Sequence, residues 1–98
     1  MTINALLLDE KDNVVTCVKE VKAGEEVVYQ AEAGLKTVTA MEDIPYCHKV
    51  ALVDLAEGDK AIKYGEMIGQ VSHAVAKGCW VNEHNIFSVP RDYDSELV

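Results

Sequence analysis

Short apolar segments, cut apart by turn residues, run the length of this chain. Candidate strands lie at Ile3 to Leu8, Val14 to Val18, Val27 to Tyr29, Lys36 to Ala40, Val50 to Leu52, Lys60 to Tyr64, Met67 to Val71, Val81 and Ile86 to Val89. Several alternate with period two, as in Thr37-Val38-Thr39 and Lys60-Ala61-Ile62-Lys63, the spacing of a half-buried strand. Asp12-Asn13, Gly24, Gly34, Pro45, Gly58, Gly65, Gly69 and Gly78 supply turn signals between them. Only Ser72 to Lys77 reads as helical, with Ser72 as N-cap and Gly78 as stop. Strands this short and frequent predict a compact, mostly β domain over residues 1–89, followed by a polar acidic tail over residues 90–98.

Aligning the turns brings out a weak repeat. Val21-Lys22-Ala23-Gly24, Leu55-Ala56-Glu57-Gly58 and Val75-Ala76-Lys77-Gly78 each place an apolar residue three before a glycine, and each leads into an apolar segment. Ile44-Pro45-Tyr46-Cys47 has the same shape with cysteine in the glycine position. The spacings of 23, 11 and 20 residues are too irregular for a solenoid, so the repeat speaks of tight turns and not of chemistry.

Composition narrows the function. The 98 residues fit one small core and are too few for a typical complete enzyme. There are 17 acidic against 9 basic residues, a net charge of −8, which repels phosphate backbones and anionic lipid. One Trp, four Tyr and one Phe offer no stacking platform for single-stranded nucleic acid. Neither a nucleic-acid nor a membrane partner is expected. The charge is uneven: residues 1–43 contribute −5, residues 44–85 only −1 and the remainder −2. The start lacks a basic n-region, and Cys17, Cys47 and Cys79 are odd in number and far apart, so reduced thiols in a cytoplasm are expected.

Candidate chemistry gathers in the nearly neutral middle. His48 stands beside Lys49 in a turn before Val50, where an imidazole can act as base, acid or ligand; a simple turn histidine has the same sequence. His84 sits in Asn82-Glu83-His84-Asn85; on a strand Asn82 and His84 would share one face, and an exposed loop is the alternative. Lys63-Tyr64-Gly65 ends a strand at a glycine turn, placing an ammonium and a phenol where an anion can meet them, or where solvent does. His73 reads as a surface residue and Cys47 as an inert thiol. No Cys-x-x-Cys pair, Glu-x-x-His metal pattern, Gly-x-Ser-x-Gly elbow or glycine-rich phosphate loop is present. Taken alone, these residues do not name a reaction.

The segment from Asp43 to Leu52, together with Ile62-Lys63-Tyr64-Gly65-Glu66-Met67-Ile68-Gly69 and His84-Asn85, resembles the SAF-type domain of the altronate and galactarate dehydratase family. Asp12-Asn13-Val14-Val15 is similar to the family's opening strand, and the resemblance covers roughly residues 3 to 86. It implies a β-clip of short strands folded over on themselves. It also implies a lyase that removes water from a sugar acid, leaving a 2-keto-3-deoxy product. A close relative in kind is sulfolactate sulfo-lyase, which expels sulfite and shares a plan of one small and one large subunit.

On this resemblance the chain is the small subunit, inactive alone, with a large catalytic subunit as partner and a small acidic substrate. A divalent metal, iron or manganese, would be held by that partner. His48 and His84 are the implied catalytic residues; Lys49, Lys63, Tyr64, Asn82 and Asn85 are the implied substrate-binding set. The metal ligands in this chain are left unassigned. Two positions depart from the family pattern: Cys47 stands where glycine is common before His-Lys, and Asn82 where a histidine is common before His-Asn. A non-catalytic binding or assembly module is the alternative. Pairing of this chain with itself through sheet edges is also open.

Overall fold

A computed structural model describes residues 2–87; the expected tail lies outside the described residues. Among the described residues nine strands run in chain order: β1 (Ala5–Leu6), β2 (Val14–Cys17), β3 (Glu26–Ala31), β4 (Gly34–Thr39), β5 (Lys49–Ala51), β6 (Lys60–Lys63), β7 (Glu66–Val71), β8 (Trp80–Val81) and β9 (Ile86–Phe87). They form three antiparallel sheets, ordered β1-β2-β5-β8, β3-β4 and β6-β7-β9. The mostly β expectation is borne out.

The central sheet explains why its apolar segments do not alternate. Val14 pairs with Ala51 and Val15 with Val50 across β2 and β5. Val14 and Ala51 join one core cluster with Leu55, Val71, Val75 and Val81. Val15 and Val50 join the other, with Val21, Val27, Tyr29, Val38 and Ile44. Successive side chains on a strand point to opposite faces, so these two strands are buried on both at Val14-Val15 and Val50-Ala51, and both steps of each pair are apolar.

The repeated segments seen in the sequence pair with one another. Val21 bridges Ile44, and Leu55 bridges Val75, each antiparallel. All four segments then close in the same turn: the N–H of Glu25 donates to Lys22 C=O at 3.0 Å, His48 to Pro45 at 3.2 Å, Asp59 to Ala56 at 3.0 Å and Cys79 to Ala76 at 3.0 Å. The third residue of each has positive φ, between 66° at Cys47 and 92° at Gly58, as a type II turn requires. Its N–H reaches the partner segment, Gly24 to Ala40 and Cys47 to Cys17, Gly58 to Val71 and Gly78 to Ala51. Residues 17–25 thus clasp residues 40–48 as residues 51–59 clasp residues 71–79.

Two expectations are corrected. The helix over Ser72 to Lys77 does not form; among the described residues there is no helix, and so none long and apolar enough to cross a membrane. Val75 instead exchanges both backbone hydrogen bonds with Leu55, at 2.7 and 2.8 Å, and buries its side chain beside it. One turn of helix satisfies too few of its own amides to compete with such a bridge. Gly69 is no turn either, but lies inside β7, where a Cβ would stand 2.8 Å from the carbonyl oxygen of Phe87. Its lack of a side chain lets β9 approach.

Candidate functional site

A cleft of about 710 Å³ opens where the edge of the central sheet meets the β6-β7-β9 sheet, lined by His48, Lys49, Lys63, Trp80, Asn82 and His84 with Ile68, Glu83, Ile86 and Phe87. Each polar group arrives from a different turn or strand end. His48 closes one of the four type II turns and Lys49 opens β5. Lys63 ends β6, where the Tyr64-Gly65 turn begins with both residues at positive φ.

That hairpin turn is tied down from a distance. Buried Asp12 accepts the N–H groups of Tyr64 at 3.0 Å, Gly65 at 2.8 Å and Asp9 at 3.1 Å. Asn13 adds two more links to β6, accepting from Ile62 N–H at 2.7 Å and donating to Lys60 C=O at 2.8 Å. The opening Asp-Asn pair therefore fixes the strand that delivers Lys63 to the cleft.

His84 is presented by a turn and not by a strand. Asn82 Oδ1 accepts the His84 N–H at 2.7 Å, and Asn85 Oδ1 accepts the Asn82 N–H at 2.8 Å. Asn85 Nδ2 donates to the Trp80 carbonyl at 2.8 Å. The strand alternation weighed for Asn82 to Asn85 is thus replaced by a side-chain-closed turn, the habit of asparagine. Its two amides are occupied in building that turn, and Asn85 does not line the cleft.

Tyr64 also stands outside the lining, 67% exposed, with the Lys63 ammonium 5.9 Å from its ring centroid. His73 is exposed and away from the cleft, its Nδ1 3.2 Å from Ser72 Oγ. Cys17, Cys47 and Cys79 are all free thiols. The cleft thus brings together five of the seven residues singled out by sequence: His48, Lys49, Lys63, Asn82 and His84.

Two lysines, Lys49 and Lys63, and one carboxylate, Glu83, line its wall. Lys49 is half-buried, and burial first, then the charge of Lys63, pulls its pKa below the usual 10.5. Among the described residues neither lysine has an acidic ion-pair partner within 4.0 Å. Two unpaired cations facing one cleft cost folding energy that an acidic ligand would return. A metal centre is a poorer fit, since no three His, Cys, Asp or Glu side chains gather among the described residues.

Sequence reasoning missed Trp80. Its indole Nε1–H donates to His48 Nδ1 at 3.2 Å, with the rings edge to face, 5.1 Å between centroids and 88° between planes. The signal available was a lone tryptophan two residues before the Asn-Glu-His-Asn turn, but in sequence it is only part of the apolar Trp80-Val81 segment.

This small antiparallel β domain with a cation-lined cleft belongs to a known family. Residues 3–89 match the altronate/galactarate dehydratase SAF domain, and the chain is a member of that family. Among its relatives is the altronate dehydratase of Escherichia coli (strain K12), 36% identical over 83 residues, which are 85% of this chain and 16% of that protein. The (2R)-sulfolactate sulfo-lyase subunit alpha of Chromohalobacter salexigens is 34% identical over 89 residues, covering 88% of this chain and 95% of that subunit. The subunit of the same name from Paracoccus pantotrophus is 48% identical over 48 residues, 49% of this chain and 72% of that protein. The chain therefore spans only a small part of the dehydratase and most of the sulfo-lyase alpha subunits.

Proposed function

We propose that this chain is the small subunit of a cytoplasmic two-component lyase, inactive alone, that dehydrates a sugar acid such as altronate or galactarate to a 2-keto-3-deoxy acid. The observation that carries the reading is the cleft, where Lys49 and Lys63 converge with no acidic ion-pair partner among the described residues, on the least acidic stretch of a chain with net charge −8. A substrate carboxylate between the two ammonium groups would relieve their repulsion and fix the acid's orientation. Elimination then needs a base that takes the proton beside the carboxylate and returns it to the departing hydroxyl, which leaves as water, and a hydrogen-bond donor that holds that hydroxyl. His48 and His84, both in the cleft wall, supply two imidazoles for these roles. A divalent metal, iron or manganese, belongs in this reading to the large subunit, and no step here runs through it.

The test is to purify the chain alone and together with its large lyase subunit. The complex should convert altronate or galactarate to a keto-deoxy acid while the chain alone does nothing. A complex that leaves altronate, galactarate and sulfolactate all untouched would sink the proposal. Sulfolactate is included because two sulfo-lyase alpha subunits are matched over 95% and 72% of their own lengths. Sulfite release in place of dehydration would select that second reading.

A further inference from the structure

We propose that Trp80 is a positioning residue that fixes the tautomer of His48, so that His48 meets the substrate as a neutral Nε2–H hydrogen-bond donor and not as the base. This deepens the reading above and rests on it for the identity of the ligand. An indole N–H can only donate, so the 3.2 Å contact to His48 Nδ1 requires a lone pair there. The single proton of the neutral ring must then sit on Nε2, which has no hydrogen-bond partner among the described residues. A neutral imidazole does not readily give up that last proton. It can stabilise charge on a carboxylate or hydroxyl oxygen by donating to it, as neutral histidine electrophiles do.

The indole is held for this task. The Trp80 backbone N–H donates to Glu42 Oε2 at 3.0 Å and its backbone carbonyl accepts from Asn85 Nδ2 at 2.8 Å, while the strand pairs with Val50 in the sheet. On the other side, His48 N–H closes the Pro45 turn at 3.2 Å, and its carbonyl accepts from Cys17 N–H at 2.8 Å. Both rings therefore hang from pinned backbone. Removal of the proton beside the substrate carboxylate falls to His84, whose ring makes no hydrogen bond among the described residues.

The test reads the ring protons and not turnover. Long-range proton–nitrogen NMR correlations of the full chain, at a pH where imidazole is neutral, should show His48 Nδ1 unprotonated and Nε2 protonated. Trp80→Phe keeps the ring and both backbone anchors but removes the donor. In that variant the two His48 nitrogen shifts should converge as the tautomers mix, with the remaining amide spectrum preserved. A proton on Nδ1 in the native chain would overturn the proposal without recourse to any variant. An unchanged tautomer in Trp80→Phe would overturn the role of Trp80. A fixed Nε2–H tautomer in a complex that turns over none of the acids would refute the proposed reaction and leave this assignment standing.

Discussion

At Cys47 a side chain occupies a backbone conformation, φ 66°, that its three counterparts give to glycine. The left-handed region costs a residue with a Cβ about 1–2 kcal/mol, part of which cysteine recovers through the lower entropy of its unfolded chain. Cys47→Gly is expected to be neutral to stabilising by about 1 kcal/mol, read as a thermal midpoint that holds or rises by a few degrees. The glycines run the other way and are not equivalent. A Cβ at Gly58 would meet nothing within 4 Å, whereas at Gly78 it would stand 2.2 Å from the carbonyl oxygen of Thr39. Gly58→Ala should therefore cost about 1 kcal/mol from backbone strain alone, and Gly78→Ala roughly 2 kcal/mol more from the collision. Equal losses in denaturant titrations would show that the clasp between these segments is not tight. At His48 the proposed donor role makes its own forecast. His48→Gln keeps an N–H and should retain more turnover in the reconstituted complex than His48→Ala, whereas a base would lose both alike.

At the scale of elements, all nine strands were legible because turn residues bracket them and because β2 and β5 are apolar on both faces. The repeat was legible as turns, but its pairing was not. Nothing in the spacing of Val21, Ile44, Leu55 and Val75 says which two meet across the fold. The false helix over Ser72 to Lys77 came from local cap signals, which a single long-range bridge outweighs. The site was half legible for a similar reason: the charged residues stand out in sequence, while the groups that aim them do so through distant contacts. Asp12 is the clearest case, lying more than fifty residues before the turn whose two amides it accepts. Asp12→Ala would leave the Tyr64 and Gly65 N–H groups without their acceptor, at a cost of about 1–3 kcal/mol. Faster hydrogen exchange at those two amides, with a KM rise in the complex as Lys63 loses its fixed position, is the expected pair of effects. Unchanged exchange would mean the hairpin holds itself.

Along the chain the acidity is concentrated outside the segment that carries Lys49 and Lys63, and half-buried Lys49, set beside Lys63, works against folding. A lysine whose folded-state pKa lies below 10.5 binds its proton less well in the fold than in the unfolded chain, so at neutral pH charged Lys49 subtracts stability. That deficit fades as pH climbs from the depressed value toward 10.5. Lys49→Met should accordingly melt higher than the native chain near neutral pH, and its advantage should shrink with rising pH, while the complex loses affinity for the acid. Stability and function would then pull apart at one residue, as expected of a binding charge and not of a structural one. The buried thiol of Cys17 gives the opposite slope, since burial pushes its pKa from 9.0 to about 11. Below 9.0 it is neutral in both states. Above that, the unfolded chain ionises while the fold still holds the proton, and stability falls until the folded group ionises too. Two units correspond to roughly 2–3 kcal/mol lost across this window. Cys79 and Tyr29, both raised chiefly by burial, add to the fall, and Lys49 opposes it. Comparing native chain and Cys17→Ala by denaturant unfolding from neutral pH upward cancels these shared groups. The variant begins less stable from lost packing, and the gap should close as pH passes from 9.0 toward 11. A gap that stays constant would mean the thiol is solvated in the fold and that the β2 edge of the core is open to water.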